Sequence, residues 1–246
     1  MYDEFSQGTT KYQLNLIYLL DTSGSMYGEP INQLNVAMAE AVQIAEEAAK
    51  EKEVQLLMRV VNFNSTAQWI FGDTQHGVEH IDWVPLKENG GTDTAGAIDL
   101  ARSVMHREFL GERNYRPVVI LITDGLSNDP VETRNAIARL KSSLKSSTNP
   151  SKDKITRIAI GVTGANQTEL TDFASVGDIE SEDGLKENVP FVFNVDDISL
   201  LKSLLKGVTV SSIMSSIGAG VVGEEGGEDK PVISPEPPKE DDDWEE

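Results

Sequence analysis

The chain has 246 residues, 39% of them hydrophobic, a size and composition that suit one large globular core better than two. Its 41 acidic side chains against 21 basic ones leave a formal net charge of -20, which argues against nucleic acid or a membrane surface as a partner. The absence of cysteine removes disulfides, thiolate catalysis and zinc-finger chemistry, leaves any metal to oxygen ligands, and fits a reducing compartment.

Residues 1–11 are polar and acidic, without a basic segment leading into an apolar one, so no secretory signal is expected. No run approaches the roughly 18 consecutive apolar residues of a membrane span. These readings together predict a cytoplasmic protein.

Along the chain, residues 14–20 read as a buried strand that stops abruptly at Asp21-Thr22-Ser23-Gly24-Ser25. A helix should follow, with Pro30 in its first turn and Ile31, Leu34, Met38, Ala41, Ala45 and Ala48 recurring at spacings of three and four up to about Lys52. Residues 54–63 predict a second strand, and 68–71 with 81–84 predict short extended pieces. Asn89-Gly90-Gly91-Thr92-Asp93-Thr94 reads as a loop leading into a helix with Ile98, Ala101, Met105 and Phe109 on one face. Residues 117–123 predict a strand ending at Asp124-Gly125. The next helix has a clear start, since Asp129 can cap it, Pro130 fits its first turn and Glu132 could reach back to the cap. Residues 155–162 and 190–195 read as further strands, and Leu201, Leu204, Leu205 and Val208 mark a last helix.

Strands alternating with helices of crossover length imply an α/β, doubly wound fold with a mostly parallel sheet covered on both faces. Residues 1–217 form the expected domain, and 218–246 a flexible acidic tail. Eleven acidic and two basic side chains fall between residues 224 and 246, so that segment carries -9 of the total charge and should be disordered.

Three polar loops gather the candidate ligands. In an open parallel sheet, ligands bind beyond the carboxyl ends of the strands, where the loops at 21–25, 90–94 and 123–125 should lie. Positions two apart on an extended loop point the same way, so Asp21, Ser23 and Ser25 can aim three oxygens at one point while Gly24 permits a sharp turn. Thr92 would add a hydroxyl, chosen over the adjacent Asp93 and Thr94, and Asp124 a carboxylate. An all-oxygen set suits a hard cation, magnesium before the larger calcium, with manganese as the natural substitute. Two carboxylates and three neutral hydroxyls would leave that ion electrophilic toward an outside carboxylate.

This combination of Asp21-Thr22-Ser23-Gly24-Ser25, Thr92 and Asp124-Gly125 resembles the metal-ion-dependent adhesion site of von Willebrand factor type A domains, over roughly residues 12–215. The resemblance implies that Asp21, Ser23 and Ser25 contact or orient the metal, that Thr92 binds it directly in the ligand-bound state, and that Asp124 acts through water. The segment from Tyr18 to Met26, with Gly28-Glu29-Pro30-Ile31, is similar to the TerY-like branch of bacterial proteins linked to tellurium resistance. That branch implies a non-enzymatic intracellular adaptor working beside a protein kinase, phosphatase or ATPase in a phosphorylation-linked stress system. Some members carry a cysteine-rich extension, which this chain replaces with its acidic tail.

Two other functions compete with the adaptor. A magnesium-dependent phosphatase of haloacid-dehalogenase type would use Asp21 as nucleophile, but it needs a second aspartate two residues on, where Ser23 stands. A metal-independent assembly scaffold would use the domain surface and tail alone. Gly218-Ala219-Gly220-Val221-Val222-Gly223 matches a dinucleotide fingerprint by letter, yet it follows a helix and reads as a hinge. His76 and His80 read as loop residues, and Trp244 as part of the solvated tail.

Overall fold

The computed structural model describes residues 11–72, 80–105, 114–144, 155–180, 185–218 and 232–236. Strands β1 (Gln13–Asp21), β2 (Gln55–Phe63), β3 (Ala67–Phe71), β4 (Val118–Thr123), β5 (Thr156–Val162) and β8 (Val192–Val195) form a sheet of order β3-β2-β1-β4-β5-β8. Only β3, at the edge, runs antiparallel to its neighbour. Helices α1 (Glu29–Glu51), α2 (Thr94–Ser103), α3 (Pro130–Ser142), α4 (Gln167–Phe173) and α5 (Leu201–Gly218) cover the two faces.

Alternation along β1 explains the layering. Leu14, Leu16, Tyr18 and Leu20 pack with Leu34, Met38 and Ala45 of α1 and with Leu205 and Val208 of α5. Ile17 and Leu19, facing the other way, pack with Ile98 and Ala101 of α2 and with Ile137 and Leu140 of α3. Every residue of β1 from Leu14 to Asp21 is buried, as a central parallel strand requires. Burying each large aliphatic side chain contributes about 1.5–3 kcal/mol, so these stripes, more than helix propensity, hold the helices in place. From β1 the chain winds outward through β2 and β3, then crosses back to β4 on the opposite side of β1. That reversal opens a crevice at the carboxyl ends of β1 and β4.

Several expectations need correction. A second sheet, of order β7-β6-β9, is built from β6 (Val176–Glu180), β7 (Lys186–Pro190) and β9 (Val232–Ile233). Residues 190–195 are therefore not one strand, because Pro190 ends β7 and β8 begins two residues later. Residues 232–236, expected in the disordered tail, pack against α5: Ile233 is fully buried, the Val232 N–H donates to Ser215 Oγ at 2.9 Å, and Ser211 Oγ donates to the Ser234 carbonyl at 2.9 Å. Their apolar Val-Ile pair and the serine-lined face of α5 supply contacts that a charge count overlooks. The rest of the tail, including Trp244, lies outside the described residues, as do His76, Phe109 and most of the glycine-rich fingerprint.

Helix α5 with its preceding 3-10 turn, Ile198–Gly218, is by length and mean hydropathy of 1.2 long and apolar enough to cross a membrane. Serines and threonines interrupt its apolar runs, which is why consecutive apolar residues alone missed it. Leu201, Leu205, Val208 and Ile213 lie in the same core as α1, and that packing accounts for the apolar content. Residues 81–84 form no strand. Asp129 caps α3 as expected, accepting from the Val131 and Glu132 N–H groups, but the Glu132 carboxylate turns to Arg139 and Asn135 instead of the cap.

Candidate metal centre

The crevice at the strand reversal is lined by the loops after β1 and β4, and a third loop closes against both. Asp21, the last residue of β1, is fully buried. Its Oδ1 accepts from the Ser23 N–H at 2.8 Å, and its Oδ2 from the Thr123 hydroxyl at 2.6 Å. Ser25 Oγ donates to Asp124 Oδ1 at 2.8 Å. Ser23 Oγ and Ser25 Oγ lie 2.9 Å apart, within hydrogen-bond distance of each other. Ser23, Ser25 and Asp124 thus form one hydrogen-bonded run, anchored to Asp21 through the Ser23 backbone.

Gly24 serves this arrangement by its lack of bulk. Its N–H donates to the Gly90 carbonyl at 3.0 Å, and a Cβ added to it would stand 3.3 Å from that oxygen. The sharp turn expected of it is less telling than this close approach. The Asn89 N–H donates to the Thr22 carbonyl at 2.8 Å, and the Asn128 N–H to the Thr92 carbonyl at 2.9 Å, so the second loop is tied to both others. Thr92 is buried, and its hydroxyl has no hydrogen-bond partner among the described residues. Its neighbours are otherwise engaged: Asp93 caps α2 by accepting from the Gly96 N–H at 3.0 Å, and Thr94 lies buried within the helix.

Burial pushes the Asp21 carboxyl above the usual aspartate range; hydrogen bonds from Ser23 and Thr123 pull the other way, and the nearby charge of Asp124 raises it further. Burial also raises Asp124, against the bond from Ser25. Neither carboxylate has a lysine or arginine partner among the described residues. Two carboxylates raised by burial and without a cation, beside an unpaired hydroxyl and two linked serines, are a donor set that a hard divalent cation would satisfy. Among the described residues there is no cluster of three or more His, Cys, Asp or Glu side chains placed to hold a metal. His80 is exposed, its ring nitrogens bonded to Glu46 and Asp82. At the position where a haloacid-dehalogenase enzyme needs its second acid stands the hydroxyl of Ser23, 2.9 Å from Ser25 Oγ.

Two positioning groups escaped the sequence reading. Thr123 stands where an apolar strand meets the 123–125 loop, and nothing in that pattern gives its hydroxyl a role, yet it fixes Asp21. Glu169, in the first turn of α4, accepts from the Ser127 N–H at 3.1 Å and from its hydroxyl at 2.8 Å, which anchors the loop carrying Asp124. No local pattern marks a contact between residues 42 apart.

The von Willebrand factor type A domain family matches residues 15–207. Among solved structures, proximal thread matrix protein 1 from the mussel byssus, in a form with a zinc-occupied MIDAS motif, aligns at 20% identity and a TM-score of 0.55 over 81% of this chain and 46% of its own. A von Willebrand factor type A protein from Catenulispora acidiphila aligns at 17% identity and a TM-score of 0.56, over 85% of this chain and 43% of its own. The ArnB paralog VWA2 from Sulfolobus acidocaldarius gives 17% identity and a TM-score of 0.50, over 81% and 44%. The chain spans less than half the length of each, and at these identities the likeness establishes the fold. No curated protein sequence matches the chain.

Proposed function

Given a chain that belongs to the von Willebrand factor type A domain family, we propose that it is a metal-dependent protein-interaction adaptor. Asp21, Ser23, Ser25, Thr92 and Asp124 would hold a magnesium ion, with manganese or calcium as substitutes. When bound, the metal supplies an electrophilic position for a carboxylate of the partner protein. The carrying observation is the buried, uncompensated Asp21 at the strand reversal, within one hydrogen-bonded cluster with Ser23, Ser25 and Asp124. The protein's own groups do the positioning: Thr123 fixes one oxygen of Asp21, the Ser23 N–H fixes the other, and Glu169 steadies the Asp124 loop.

The partner class belongs to the same proposal. The stretch from Tyr18 to Ile31 supports a TerY-like adaptor in a tellurium-resistance or related stress system, serving a kinase, phosphatase or ATPase in the cytoplasm. Manganese binding followed by electron paramagnetic resonance, together with recovery of partners from the native host with and without chelator, tests it. The wild-type chain should bind one ion and release its partner on chelation, and Asp21→Ala should lose both properties. A partner retained by Asp21→Ala in chelator would sink the adaptor reading.

A further inference from the structure

Ser25 and Asp124 touch through a 2.8 Å hydrogen bond, and an exposed apolar side chain stands two residues beyond each: Tyr27 is 76% exposed and Leu126 is 54% exposed. Two residues of chain span at most about 7 Å, so both side chains belong to the rim of the crevice. Elsewhere on the described surface, exposed large apolar residues such as Val36 of α1, Met214 of α5 and Leu185 before β7 stand apart, as scattered singletons commonly do. The two at the rim differ because they flank a polar centre, the layout in which an aromatic and an aliphatic side chain exclude water around a charged contact.

The charge around the crevice narrows the ligand further. No Lys or Arg occurs in residues 21–30, 89–94 or 123–133, the segments that form and border the three loops. Glu29 and Asp129, both exposed, add negative charge to them. A ligand with several carboxylates would find one favourable position and repulsion around it. A lone carboxylate with apolar neighbours would find the same position and two hydrophobic contacts.

We propose that Tyr27 and Leu126 form an apolar collar that makes this site selective for a single acidic residue flanked by apolar side chains, and against acidic runs. The inference rests on the metal-adaptor reading above and deepens it. Three synthetic heptapeptides, each with a central aspartate flanked by alanines, by leucines or by further aspartates, serve as probes. Their affinities for the full-length chain are measured by calorimetry in magnesium and in chelator, and the Leu126 methyl resonances are followed by NMR.

In magnesium the leucine-flanked peptide should bind at least ten-fold more tightly than the alanine-flanked one, about 1.4 kcal/mol, and the polyaspartate peptide most weakly. Only the leucine-flanked peptide should shift the Leu126 methyls strongly. The double substitution Tyr27→Ser with Leu126→Ser should shrink the ten-fold preference below about three-fold. Equal affinities for the first two peptides, absence of binding by either, tightest binding of polyaspartate, or a preference that the double variant preserves would each overturn the collar. A leucine preference that persists in chelator would instead keep the collar and remove the metal reading beneath it.

Discussion

Burial penalises the charged form of Asp21, and no described basic side chain offsets that penalty. A carboxyl whose native pKa lies above its unfolded value favours folding at low pH, and that advantage disappears as pH rises through the native value. Above that point the metal-free protein bears the full penalty of the buried charge. Asp21→Asn removes the charge and keeps the shape, and the Thr123 hydroxyl can rotate to accept from the new amide. In metal-free protein its melting temperature should exceed that of the wild type near pH 7.5, with the difference shrinking toward pH 4, whereas magnesium should raise the melting temperature of the wild type alone. A scanning calorimetry series in pH settles the sign; a metal-free Asp21→Asn less stable than wild type at neutral pH would show that the carboxylate is needed without metal.

Thr123→Val tests the positioning bond separately. The substitution keeps the β-branched shape that β4 needs and deletes the 2.6 Å hydrogen bond to Asp21. Loss of an outer hydrogen bond to a metal-ligating group commonly weakens binding by about 10–100-fold, so manganese affinity should fall by about ten-fold while far-ultraviolet circular dichroism stays the same. The contrast with Asp21 shows where the site was legible. Asp21, Ser23 and Ser25 stood out because polar residues two apart interrupt a strong apolar run, whereas Thr123 continues such a run and acts on a residue 102 positions away. The preference for Thr92 acquires a local argument only from tertiary detail, since Asp93 is spent on the α2 cap.

At the scale of elements, the strongly patterned pieces were readable: β4 is apolar up to its last residue, β1, β2 and β5 are predominantly apolar, and α1 and α3 carry clear stripes and a cap. The sheet formed by β6, β7 and β9 was not, because β6 and β7 are five residues each with mixed polar and apolar positions and β9 is only two residues long. Its third strand depends on Gly207 of α5, where an added Cβ would come within 2.5 Å of the Glu236 carbonyl carbon and the Pro235 oxygen. Alanine in a helix interior is favoured over glycine by about 1 kcal/mol, yet displacing 232–236 forfeits the burial of Ile233, about 1.5–3 kcal/mol. Gly207→Ala should therefore destabilise the protein by about 0.5–2 kcal/mol. Amide exchange provides the specific readout, since Val232 and Ile233 should lose protection while β1 retains it; unchanged protection at both would mean that the segment shifts without undocking.

Across the whole molecule, the proposed adaptor, with a net charge of -20, would have to capture a carboxylate against its own field. The metal acts only at contact distance, whereas the acidic charge acts over a Debye length, about 30 Å at 0.01 M salt and about 10 Å at 0.1 M. Association should consequently be slow in dilute salt and faster as salt rises, the reverse of ordinary charge steering. Residues 237–246 contribute six acidic side chains and one basic, so deleting them changes the net charge from -20 to -15. With the leucine-flanked single-aspartate peptide as ligand, stopped-flow at about 10 mM salt should show an association rate several-fold higher for the truncated chain, converging with full length near 0.5 M, where the Debye length falls to a few ångströms. The dissociation rate should not change, because long-range repulsion affects the approach and leaves the docked contacts alone. A dissociation rate altered by truncation would instead mean that the acidic segment itself touches the binding face, and the field argument would give way to a contact.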